Sequence, residues 1–244
     1  MDSMFKLCKS LTSIDLSHFK TDNVEDMNSM FSGCKSLKSI NTSNFNTTKI
    51  KDMSYMFNGC KSLTSIDVSN FNTTNVVKMS SMFDSCSLLT SIELSYFNTN
   101  NVKDMNCMFY GCEILKFINV SSFNTSNVKD MHSMFEDCKS LISIDVSNFN
   151  TKNVENINSM FRSCTSLTSI SLSNFDTQNI IDFSYFLLYT SSLHYIDISS
   201  FITSQSSIYV FRNQSKTGKI IVKKEFFEKI EGNELDNWEK IFVD

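Results

Sequence analysis

An interval of 26 residues governs this chain. Seven of its eight cysteines, Cys8, Cys34, Cys60, Cys86, Cys112, Cys138 and Cys164, follow one another at that spacing. Phenylalanine keeps the same beat from Phe19 to Phe201, and leucine from Leu11 to Leu193, with no insertion between them. A unit this short cannot bury its own apolar face, whereas stacked copies bury a continuous core. The period therefore predicts a repeat solenoid in which equivalent residues of successive coils form columns.

Two rhythms lie inside each unit. In the coil that starts at Cys60, Ile66, Asp67, Val68 and Ser69 alternate apolar and polar residues, the signature of a short strand with one buried face. Val76, Met79 and Phe83 then follow an i, i+3, i+7 spacing, which predicts a short helical segment on the opposite side. Thr73, with Thr21, Thr47, Thr99, Thr125 and Thr151 in its column, stands three residues before that segment and reads as its N-cap. Gly33, Gly59 and Gly111 share the column after it, where a positive φ is expected, although Ser85, Asp137 and Ser163 replace glycine in other coils. Short parallel strands on one face, helical segments opposite and about eight coils give a stack roughly 38 Å long.

The repeats span residues 1–206. At Ser206 a column filled by Val76 and Ile180 turns polar, and the cysteine column has already become Thr190. Residues 207–244 differ in composition, with the single tryptophan, Trp238, and the amphipathic run KKEFFEKI. They are expected to form a C-terminal capping segment, since an open solenoid end exposes apolar side chains and unpaired strand edges. Met1 falls in the column of Met27 and Met53, so the first coil is incomplete and the chain reads as the later part of a longer array, or as starting at an internal methionine.

The unit C-x-x-L-x-x-I-x-L-S-x-F-x-T-x-x-V-x-x-M-x-x-M-F resembles the leucine-rich repeats of BspA-like bacterial and protozoan surface proteins. Gly218–Val222 followed by Asn237-Trp238 resembles the terminal element of such arrays. The resemblance implies a leucine-rich-repeat solenoid, display at the cell surface or outside the cell, a role in adhesion and no catalytic residues. A cytoplasmic location is the alternative, because the first residues, MDSMFKLCKS, lack the apolar run of a signal peptide.

Composition narrows the partners. A net charge of -4 with no basic stripe argues against nucleic acid. No run approaches the roughly 18–20 apolar residues of a membrane span, so no membrane insertion is expected. No C-x-x-C pair occurs, and neither a metal nor a cofactor is assigned. The cysteine column reads as a ladder of buried free thiols, and the methionine columns as core. Cys107 lies off its column beside Met108 and is expected to be the exposed, reactive thiol. His18, His132 and His194 occupy different columns, with no sign of convergence on a nucleophile, and no G-x-S-x-G, H-E-x-x-H or phosphate-loop pattern exists. The expected function is noncatalytic.

The exposed strand column is the candidate binding surface. It holds Asp15, Asn41, Asp67, Glu93, Asn119, Asp145 and Asp197, beside an unbroken serine column from Ser17 to Ser199. Stacking sets these side chains in a row about 5 Å apart. Phe117 and Tyr195 replace serine in a neighbouring column and add aromatic anchors. A protein or glycan ligand on this face, bound by part of a surface adhesin-like protein, is one reading, and an intracellular interaction scaffold using the same face is the other. A solvated polar face kept by repeat duplication is the simpler account of the row. Two expectations concern stability. Thr42 interrupts the inward strand column of Leu16, Val68 and Leu94, so Thr42→Val should stabilise, and Phe97 at mid-stack should matter more than Phe201 near the end.

Overall fold

Coils stacked at a single strand spacing leave little room for anything wider than an extended chain. A helix with its side chains is about 10–12 Å across, whereas successive parallel strands lie about 4.8 Å apart. In the computed structural model, which describes residues 1–205, 208–212, 214–232 and 235–244, the expected helical segments are accordingly turns. Among the described residues the only helix is α1 (Lys224–Phe227), outside the repeats.

The turn side shows how this is achieved. Alternate amides point to different partners. Those of Met82, Asp84 and Cys86 bond the carbonyl three residues back, at 3.1–3.3 Å. Those of Met79, Ser81, Phe83 and Ser85 cross to Asp104, Asn106, Met108 and Tyr110 of the next coil, at 2.6–3.1 Å. Two residues per coil take positive φ to keep this alternation, for example Ser81 at 53° and Ser85 at 56°. The second of these columns contains Gly33, Gly59 and Gly111, at 65–74°, and the conformation persists where Ser85, Asp137, Ser163 and Tyr189 replace glycine. Parallel bridges at Asp26, Asp52, Lys78, Asp104, Asp130, Asn156 and Asp182 join seven successive coils.

On the strand side the same one-coil register holds. β1 (Ser65–Ile66) pairs in parallel with β2 (Ser91–Ile92), Ile66 opposite Ile92. β3 (Ser169–Ser171) pairs with β4 (Tyr195–Ile198), Ile170 opposite Ile196. The tail continues this sheet: β5 (Lys219–Lys223) lies parallel to β4, and β6 (Glu239–Val243) parallel to β5. The expected boundary between array and tail falls on Ser206 and Ser207, which lie outside the described residues.

The core is the set of columns expected from the period. The cysteine column from Cys34 to Cys164, the methionine columns from Met27 on and the phenylalanine columns from Phe31 and Phe45 on are buried, whereas Met4 in the first coil is 52% exposed. Rings from Phe5 to Phe161 stack one coil apart with centroids 5.4–5.8 Å from each other, an offset-stacked separation. All eight cysteines are free. Each buried column thiol donates to the carbonyl of a phenylalanine in the preceding coil, as Cys86 Sγ does to Phe57 O at 3.2 Å. Burial pushes these thiols up, Cys34 to about 11 and Cys60 to about 12.

Three local expectations are corrected. The threonine column does not cap helices. Thr99 is buried, and its hydroxyl donates to Asn124 O at 2.9 Å while accepting the Asn124 amide at 2.7 Å, so it ties one coil to the next. Thr42 is no weak point either, because its hydroxyl donates to Asp67 O at 2.6 Å. Phe201 lies against four other rings, those of Phe175, Phe183, Phe186 and Phe226, at 5.5–6.2 Å. It therefore belongs to the most densely aromatic part of the core, not to a loose end.

Candidate functional site

The strand face carries the polar row. Every candidate in it makes the same local bond, since Asp15, Asn41, Asp67, Glu93, Asn119, Asp145 and Asp197 each accept the amide of the serine two residues on, at 2.8–3.1 Å. The row thus has a structural role, because these bonds turn the chain out of the strand. The same bonds hold the carboxyls low. Amide and hydroxyl donation from Ser17 lowers Asp15, and donation from Ser95 lowers Glu93. The Ser69 and Ser147 hydroxyls and amides do so for Asp67 and Asp145. At each of these positions one carboxylate oxygen accepts the serine amide.

The two aromatic candidates do not meet. Phe117 is 63% exposed, and Tyr195 stands three coils further along, about 14 Å away at the spacing of stacked strands. Tyr195 instead shares a depression with Asp145, two coils earlier. This shallow hollow of about 310 Å³ is also lined by Ile144, Ser169, Ser171 and Asn174.

Several features escape a column-by-column reading of the sequence. Tyr96, 66% exposed, replaces an asparagine column whose side chains lace coils together, as Asn70 does to Thr42 O at 2.9 Å. A larger concavity of about 700 Å³ lies on the turn side near the C-terminal end, lined by Arg162, Tyr185, Tyr189, Tyr209, Phe211 and Arg212. Arg162 donates to the buried Glu136 at 2.9 Å, which in turn accepts the Ser133 hydroxyl. The sequence signal for this concavity is tyrosine in two columns that elsewhere hold mostly serine or glycine. The histidine reading also needs correction. His132 does meet a thiol, Cys107, with the two one coil and one column apart. Cys107 is only partly exposed, while Cys8 in the first coil is exposed.

No helix among the described residues is long and apolar enough to cross a membrane. Among the same residues no group of three or more His, Cys, Asp or Glu is placed to hold a metal ion.

Coils of fixed length, parallel strands on one side and apolar columns inside define a leucine-rich-repeat solenoid. The sequence matches the family described as "Mycoplasma protein of unknown function, DUF285" over residues 1–116 and 89–201. The chain belongs to this family, a group of BspA-like leucine-rich-repeat proteins. A leucine-rich repeat protein of known structure from Bacteroides ovatus is similar at 15% identity with a TM-score of 0.31, over 95% of this chain and 64% of that one. This chain thus spans under two thirds of that protein's length. No curated protein matches the sequence. A repeat fold in a family of unknown function points to a non-enzymatic repeat protein.

Proposed function

We propose that the chain is a noncatalytic binding module of a surface-displayed, adhesin-like protein, and that it recognises a protein or glycan partner through its strand face. The observation that carries this reading is the row from Asp15 to Asp197. Its acceptor groups stand at a regular spacing set by the coils, each held by the same kind of serine amide bond. A preorganised row of this kind binds without the entropy cost of ordering a flexible surface. The depression lined by Asp145 and Tyr195 adds a ring and a carboxylate to one concavity, a combination suited to a sugar or a peptide side chain.

The test is a glycan array and a solid-phase protein panel probed with the chain and with the double variant Phe117→Ser/Tyr195→Ser. Serine is the residue other coils carry at both positions, so the stack is preserved. Loss of an anchor of this kind weakens binding by roughly tenfold or more. Equal binding by parent and variant removes the strand-face assignment. Labelling of intact cells tests display: signal only after permeabilisation overturns the surface location.

A further inference from the structure

The turn side carries a cluster of reactive groups remote from the strand face. The backbone ladder that sends the Cys107 amide to His132 O, at 2.9 Å, sets these residues on adjacent coils. Cys107 Sγ lies 3.6 Å from His132 Nε2, and the other ring nitrogen, Nδ1, lies 2.8 Å from Asp130 Oδ1. Asp130 Oδ1 also accepts the His132 amide at 2.9 Å, so the backbone fixes the carboxylate against the ring. The three groups are in series on opposite edges of the imidazole and do not converge on a common point. That geometry is a proton relay to sulfur, not a set of metal ligands.

We propose that Cys107, His132 and Asp130 form a thiol–imidazole–carboxylate site that captures a small-molecule disulfide as a mixed disulfide on Cys107. The Cys107 thiolate attacks one sulfur of the disulfide. As the new S–S bond forms the old one breaks, and the departing thiolate takes the proton held on His132 Nε2. One thiol and one disulfide enter and one of each leaves, so no further oxidant is needed. His132 holds and delivers the proton, and Asp130 acts through it as a positioning residue.

Three observations favour disulfide exchange over other thiol chemistry. The amides beside the sulfur are already engaged, Cys107 N–H by His132 O and Met108 N–H by Met105 O. They are therefore not available to cradle the oxyanion that acyl transfer develops. The nearest column thiol in sequence, Cys112, is buried and bonded to Phe83 O, so the mixed disulfide is not resolved within the coil. The trio also occurs once in the array. Other coils hold Ser29, Tyr55, Ser81 and Ser159 in place of Cys107, and Asn28, Ser54, Ser80 and Asn158 in place of His132. The carboxylate of Asp130, and after it the Cys107 sulfur, push His132 up to about 10, which keeps the ring cationic beside the sulfur. Neighbouring coils present Asn106 and Asn158 in the column of His132, and Asp104 and Asn156 in that of Asp130.

The test uses the full chain with Cys8→Ser, which removes the exposed competing thiol. It is treated with 2,2′-dithiodipyridine from about pH 5 to about pH 9, alone and with His132→Asn, His132→Ser or Asp130→Asn, all residues that other coils carry at those positions. At about pH 6 Cys107 of the parent should react at least roughly tenfold faster than in either His132 variant. In those variants the rate should instead climb steadily with pH across the whole range. Asp130→Asn should fall between them. A variant that unfolds releases more than one equivalent of thione as the column thiols open, so misfolding is distinguished from loss of the relay. Matching pH profiles in parent and His132 variants, or adducts mapped by mass spectrometry to a column thiol, overturn the proposal.

Discussion

Replacing Thr99 by valine removes one oxygen and leaves the shape of the side chain nearly unchanged. In the structure that oxygen donates to Asn124 O and accepts from Asn124 N–H, at 2.9 and 2.7 Å, within a column that is 1% exposed at this position. The substitution strips both partners at once. An unsatisfied buried backbone group costs about 1–3 kcal/mol. Because the Asn124 side chain reaches the surface, water can rehydrate part of the exposed pair. The expected loss is therefore about 2 kcal/mol, below the full sum of two buried orphans. Thr99→Ser keeps the hydroxyl and deletes one methyl, which costs only about 1 kcal/mol. Urea unfolding followed by far-UV circular dichroism measures both, with the slope checked because solenoids depart readily from two-state behaviour. Hydrogen exchange at the Asn124 amide supplies a local readout and should accelerate in the valine variant alone. If valine leaves stability within about 0.5 kcal/mol of the parent, or serine costs as much as valine, the inter-coil role of this hydroxyl is wrong.

Further outcomes follow from the same geometry. Thr42→Val should destabilise by about 1 kcal/mol, since its hydroxyl serves Asp67 O at 2.6 Å, and a gain in melting temperature contradicts this. Ser163→Gly, at φ 58°, should stabilise by about 0.5–1 kcal/mol in urea unfolding, because glycine takes left-handed backbone without the Cβ penalty. Phe201→Ala should cost about 3–5 kcal/mol and at least as much as Phe97→Ala, since Phe201 touches four other rings; a markedly smaller effect at Phe201 refutes the reading. His132 is raised by Asp130 first and Cys107 second from 6.5 to about 10, so its contribution is complete below about pH 6.5 and is lost as pH rises through about 10. The difference in melting temperature between parent and His132→Asn should shrink across that window, and a constant difference excludes the linkage.

The columns of Cys, Phe, Met and Leu were legible because burial repeats with the period and needs no knowledge of the path between columns. The positive φ in the column of Gly33 was legible for a similar reason, since glycine in several coils marks the backbone and Ser85 or Asp137 merely tolerates it. The helical segments misled because an i, i+3, i+7 spacing also fits successive turns closed three residues back, and the deciding fact is the coil spacing, which no single unit contains. Thr99 looked like a cap because its true partner, Asn124, is in the next coil. The contact of Cys107 with His132 was hidden for a related reason. Amides on the turn side reach 25 residues ahead, so neighbours lie diagonally across columns, whereas the period aligns residues straight down them. On the strand face, the alternation around Ile66 and Val68 located the exposed row, but not the serine amides that occupy half of each carboxylate.

Bonding across both sides of every coil, with no helix to widen one of them, also decides how the molecule answers tension. A pull on the two chain ends acts on all coils in series, but an outermost coil yields first, because it has a bonded neighbour on one side only whereas each inner one is held from both sides. That coil lets go as a unit and releases 26 residues of contour, roughly 80 Å of slack when extended, before the next yields. Under load the array yields in equal steps at nearly equal force, lengthening while the coils still in register keep their surface intact.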